Sequence, residues 1–164
     1  MKVQDVMTEQ VRSCWPDTNL AAAAGLMWKK DCGVLPVVAD GGKAIGVITD
    51  RDIAIAMGTR KQTASAIPVK EVMSARLFTV SPEDDIHAAL KLMRKERVHR
   101  LPVVNNDGVL KGILSLNDVV LHAVHADGKK RPELSYDDVV STLKAVCEHR
   151  HPAVLTEHYL TAKA

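Results

Sequence analysis

The chain contains one unit twice. Displaced by 66 positions, residues 3–57 lie on residues 69–123 without a gap. Val6-Met7-Thr8 falls on Val72-Met73-Ser74, Leu35-Pro36-Val37-Val38 on Leu101-Pro102-Val103-Val104, Gly46 on Gly112 and Asp52 on Asp118. Internal repetition limits the architecture more than any local pattern, because a repeated unit buries its apolar face against its neighbour. Each copy is only about 55 residues, a size at which isolated burial is marginal, so the two copies are expected to share one core. Aromatic residues are 3% of a chain that is 46% hydrophobic, so that core is built from Val, Ile, Leu, Ala and Met. Each fully buried large side chain then contributes roughly 1.5–3 kcal/mol before entropy is subtracted.

Within the second copy, Pro82-Glu83-Asp84-Asp85 places a proline and three acids where a helix start favours negative charge. Ile86, Ala89, Leu90 and Met93 follow at helical spacing and predict a helix ending near Glu96. The first copy repeats this with Pro16-Asp17-Thr18 before Leu20, Ala23, Ala24 and Met27, ending around Lys30. Two β-rich runs come next, separated by Asp40-Gly41-Gly42 in one copy and Asn106-Asp107-Gly108 in the other, which predicts a hairpin in each. Proline cannot donate to a sheet ladder, so Pro36 and Pro102 are expected at the start of a strand, where a backbone gap admits a ligand. With a short leading strand at residues 11–14 or 77–80, each unit reads β-α-β-β-α. The fold class is α/β in the α+β sense, with repeats at 2–58 and 68–124. An extension at 133–164 contains one further helix from Ser135, with Val139, Val140, Leu143 and Val146 on one stripe.

Charge and cysteine usage narrow the function. The formal net charge is +2 from 22 basic and 20 acidic residues, too balanced to attract a phosphate backbone, so no nucleic-acid partner is expected. Cys14, Cys32 and Cys147 form no paired motif and fit reduced thiols. With no signal-like N-terminus and no apolar run of about 18 residues, no membrane association is expected and the location expected is cytoplasmic. Cys147, His149 and His151 match no zinc spacing, and no nucleophile sits beside a base, so neither a metal site nor a catalytic residue is assigned.

Both units place a hydroxyl three residues before an acid at the second strand-to-helix turn, as Thr49 with Asp52 and Ser115 with Asp118. Such a pair commonly caps a helix. Repeated behind Gly46 and Gly112, it also suits a reader of phosphate and ribose, since a carboxylate accepts hydrogen bonds from ribose hydroxyls.

In the doubled VMT or VMS, the doubled LPVV and the doubled glycine, hydroxyl and acid series, residues 2–124 resemble the CBS-domain pair, or Bateman module. The resemblance implies two β-α-β-β-α units related by pseudo-twofold symmetry, with clefts for adenosine-containing ligands: AMP, ADP, ATP, NAD or S-adenosylmethionine. It assigns Thr49 and Ser115 to phosphate or ribose, Asp52 and Asp118 to ribose, and the backbone at Gly33, Val34, His99 and Arg100 to adenine. His99 and Arg100 reach phosphate in some nucleotide-sensing members, and Arg51 offers a second guanidinium. It further implies a non-enzymatic regulatory protein, sensing energy or redox state as a disc-shaped homodimer and signalling to a separate effector protein. The alternative is a ligand-free dimeric scaffold that acts by protein–protein interaction.

Overall fold

A computed structural model describes residues 1–125 and 132–148. Local chemistry places the elements where the repeats put them. Helix α1 (Leu20–Lys29) begins where Asn19 accepts from the Ala22 amide at 2.9 Å, and α3 (Ile86–Glu96) where Asp85 accepts from the His87 amide at 2.8 Å. Each buries its apolar stripe: Leu20, Ala23 and Met27 in α1, and Ile86, Ala89, Leu90 and Met93 in α3. Strand β2 (Val34–Ala39) turns back as β3 (Lys43–Thr49), and β4 (Arg100–Val104) as β5 (Leu110–Ser115); both hairpins are antiparallel and carry an irregularity at the same place, Val37/Val38 and Val103/Val104. From β3 the chain enters α2 (Asp50–Thr59), and from β5 it enters α4 (Leu116–His122). The mixed α+β architecture is thus the one the repeat implies.

Three expectations are corrected. The leading strands shrink to single parallel bridges, Cys14 with Val37 and Val80 with Val103. Pro36 and Pro102 are not at strand starts but third in β2 and β4. These two facts have one cause. The Cys14 amide donates to Pro36 O at 3.0 Å and Cys14 O accepts from the Val38 amide at 2.9 Å; Val80 does the same with Pro102 and Val104 at 3.2 and 2.9 Å. The next bond of each parallel ladder requires an amide hydrogen on the proline, so pairing stops there.

The third correction concerns the core, which is two clusters rather than one. Cys14, Leu20, Leu35, Val37 and Ile48 of the first repeat gather with Ile67 and Val69, whereas Ile86, Leu90, Leu101 and Leu114 of the second gather with Val3 and Val6. The repeats exchange their N-terminal arms. The Val3 amide donates to Asp84 O at 2.9 Å and Ile86 to Met1 O at 3.1 Å; reciprocally, Leu20 donates to Ile67 O at 2.9 Å and Val69 to Thr18 O at 2.7 Å. Ion pairs fasten both arms, Lys2 to Glu83 and Lys70 to Asp17, and each acid raises its lysine's pKa above the usual value. Farther along, β1 (Thr8–Glu9) pairs antiparallel with β5, and Ser74 crosses onto Val47 in the same way. A Cβ on Gly112 would lie 2.7 Å from Thr8 O, and one on Gly46 would lie 2.7 Å from Ser74 O. The doubled glycine and the doubled VMT or VMS are therefore two sides of one contact between repeats.

Helix α5 (Tyr136–Cys147), capped by Ser135, lies against α3 and α4 and adds Val139, Val146 and the preceding Leu134 to the second cluster. Its buried Thr142 hydroxyl accepts from Arg94 Nη1 at 2.8 Å and donates to Asp138 O at 2.8 Å. The rest of the expected extension, 149–164, lies outside the described residues. Among the described residues, no helix is long and apolar enough to cross a membrane.

Candidate functional site

The stopped ladder at Pro36 leaves residues 10–12 apart from the start of β2, and a cleft of about 530 Å³ opens between them. Its volume is within the about 300–1,000 Å³ range of small-molecule sites. The first repeat contributes Gln10, Val11 and Arg12 from the leading segment and Asp31, Cys32, Gly33 and Val34 from the turn between α1 and β2. Facing them from the second repeat are Arg100 at the start of β4, with Ile113, Ser115, Asn117 and Asp118 around the end of β5. Thr8 and Lys30 complete the wall. Gly33, Val34, Arg100, Ser115 and Asp118 are thus brought together, although the sequence divides them between two units.

Asp118 works as a helix cap. One carboxylate oxygen, Oδ2, accepts from the Ser115 amide at 2.8 Å and from the Ser115 hydroxyl, and Oδ1 accepts from Thr8 Oγ1 at 2.8 Å. Asp52 repeats the cap on Thr49, accepting from its amide at 2.9 Å and its Oγ1 at 2.7 Å, without the threonine from the other repeat. An ionised carboxylate offers about four acceptor positions, so capping leaves room for further donors.

The cleft is mixed in charge. Arg12, Lys30 and Arg100 border it with Asp31 and Asp118, and among the described residues none of the three cations is held in an ion pair. Across the pseudo-twofold axis the corresponding positions are filled differently. Arg76 stands for Gln10, Phe78 for Arg12 and Glu96 for Lys30. Arg76 Nη2 pairs with Glu96 Oε2 at 3.1 Å, and its guanidinium lies 5.0 Å from the centre of the Phe78 ring. Thr49, Arg51, Asp52 and His99 stand away from the open cleft. Asp52 borders a separate concavity of about 200 Å³ beside the Arg60–Glu71 ion pair, which is 2.7 Å long. Arg51 is exposed on the first turn of α2, and His99 O accepts from the Leu116 amide at 3.0 Å.

Sequence reasoning missed Thr8, Arg12 and Lys30. The exchanged arms hide Thr8, whose partner Asp118 is 110 positions away. Arg12 and Lys30 carried a signal, being cations whose partners in the repeat, Phe78 and Glu96, are not. Among the cysteines, burial pushes the Cys14 thiol up to about 11, which keeps it protonated and unreactive near neutrality. His149 and His151, set aside as metal ligands above, lie outside the described residues.

A CBS domain model matches residues 3–58 and again 69–125. The chain belongs to the CBS-domain family. It is 37% identical over 123 residues to the CBS domain-containing protein YhcV of Bacillus subtilis, a match covering 73% of this chain and 84% of that one. Inosine-5'-monophosphate dehydrogenase of Mycobacterium tuberculosis is 36% identical over 114 residues, covering 69% of this chain but only 20% of the dehydrogenase. The match with that enzyme is confined to the CBS region, so the dehydrogenase's catalysis is not carried over. Among solved structures, CBSX2 of Arabidopsis thaliana in complex with AMP superimposes with a TM-score of 0.63 at 27% identity, covering 73% of this chain and 93% of CBSX2.

Proposed function

We propose that this CBS pair is a cytoplasmic regulatory module without catalysis of its own, which binds an adenine nucleotide in the cleft between its repeats. The observation that carries the reading is the cleft's composition. Backbone at Gly33 and Val34 from one repeat faces a ribose-competent carboxylate, Asp118, and a phosphate-competent guanidinium, Arg100, from the other. The AMP complex of CBSX2 supports an adenosine ligand on this fold. A ligand touching both repeats favours one relative arrangement of them, and the shift is bounded by its differential affinity for the two states. A separate effector protein reads that arrangement, directly or through the dimer. Trp28 and Leu121, 88% and 81% exposed, with Ile55 and Val120, supply the apolar surface on which we place homodimerisation. Thr49, Arg51, Asp52 and His99 belong to the opposite side of the pair and would serve a second adenosine compound there, one without several phosphates.

The test is a thermal-shift panel of AMP, ADP, ATP, NAD and S-adenosylmethionine, because a ligand that binds only the native state raises stability by RT ln(1 + [L]/Kd). Calorimetry with Asp118→Ala, checked for folding, should then show binding weakened about tenfold to a hundredfold. The second reading, a ligand-free dimeric scaffold, is favoured by the fact that Asp52 and Asp118 both serve as caps. It gains if no compound shifts the transition and mass spectrometry of denatured protein finds no nucleotide.

A further inference from the structure

We propose that the chain takes one ligand with two or more phosphates per chain, selected by Arg12 and Lys30 together with Arg100, and disfavours neutral or sulfonium adenosine compounds; this rests on the nucleotide reading above. Three cations from three elements meet at one cleft: Arg12 on the leading segment, Lys30 at the end of α1 and Arg100 at the start of β4. Lys30 also complements the helix C-terminus it caps, but that role asks nothing of Arg12 or Arg100. Their charge is not spent on neighbours, since none of the three is in an ion pair among the described residues. Against them stand only Asp31 and Asp118, and the Asp118 carboxylate already accepts three hydrogen bonds. A ligand without phosphate leaves the cations unanswered; one with several phosphates engages all three, and arginine's planar fork of donors suits them.

The other cleft explains why the number is one. The counterparts of Arg12, Lys30 and Arg100 are Phe78, Glu96 and Val34, none of them cationic. Of the arginines at the equivalent positions, Arg76 pairs with Glu96 at 3.1 Å, Arg97 pairs with Glu148 at 2.8 Å and Arg100 lines the open cleft, which leaves Arg51, in the place of Asn117, against three cations on the open side. The Arg76–Glu96 pair links the leading segment of the second repeat to the end of α3, the two elements between which its cleft would open. At the equivalent places in the open cleft stand Gln10 and Lys30, a neutral amide and a cation, which cannot form such a pair.

Titration calorimetry with ATP, ADP, AMP, adenosine and S-adenosylmethionine at one ionic strength tests this. We expect ATP and ADP to bind at one per chain, with adenosine and S-adenosylmethionine weaker by at least about tenfold. Arg12→Ala and Lys30→Ala, both at exposed positions, should each weaken ATP by about fivefold or more while leaving adenosine unchanged. Two ATP per chain, S-adenosylmethionine or adenosine matching ATP, or ATP binding indifferent to both substitutions in folded protein would each overturn the proposal while leaving the nucleotide reading intact. Absence of binding by every adenosine compound would overturn both.

Discussion

A single methyl group probes the contact between repeats. Gly112→Ala drives a Cβ to 2.7 Å from Thr8 O, a backbone atom that cannot rotate away, and should cost about 1–3 kcal/mol in urea unfolding. Gly25→Ala, in α1 with nothing within 4 Å, should instead stabilise by about 0.5–1 kcal/mol. Cys14 gives a second residue-scale expectation. Its thiol is raised from 9.0 to about 11 by desolvation, so the folded state holds the proton more tightly than the unfolded one. The stability it contributes is fully present below pH 9 and is lost as pH rises toward 11, about 2 kcal/mol in all; Cys14→Ser should flatten that part of a stability-against-pH profile. At this scale the sequence was partly legible. The Thr49–Asp52 and Ser115–Asp118 pairs could be read because both members lie within one turn, close enough to form the capping boxes that the structure shows. Thr8 could not be read, because nothing local announces a partner in the other repeat.

Helices were legible where a cap and a stripe coincide. Asp85 with Ile86, Ala89 and Leu90 marks α3, and Ser135 with Val139 and Val146 marks α5. The leading strands were not, since their pairing is decided by a proline some twenty residues away that withholds one hydrogen. Helix α5 is the element with no counterpart in the first repeat, and its removal is informative. A chain ending at Pro132 uncovers the face of α3 on which Val139 and Val146 pack and should unfold at lower urea, with the first repeat's cluster least affected by tryptophan fluorescence, both tryptophans being in that repeat. Thr142→Val is the milder version. It removes the acceptor of Arg94 inside the contact and should cost about 1–3 kcal/mol, read by the same unfolding curve.

At the scale of the whole molecule, the repeat foretold two units and the family resemblance implied clefts between them, but neither showed that each unit is completed by the other. A 66-position shift leaves the pattern unchanged whether an arm folds back on its own repeat or crosses, so sequence alone is blind to the choice. The exposed apolar residues of α1, α2 and α4 lead us to expect a particle of twice 17.9 kDa by light scattering at micromolar concentration, and Leu121→Lys to shift it toward the monomer. The crossed arms also govern what happens when the chain is cut. Protease cleavage within residues 60–63, between α2 and the second arm, severs the covalent link between halves that hold each other by backbone hydrogen bonds on both sides. The nicked protein should therefore run as one species in native gel filtration and as two in denaturing gels. A fragment carrying one repeat alone is left with an arm shaped for a hairpin it lacks, and another copy of itself is the nearest substitute.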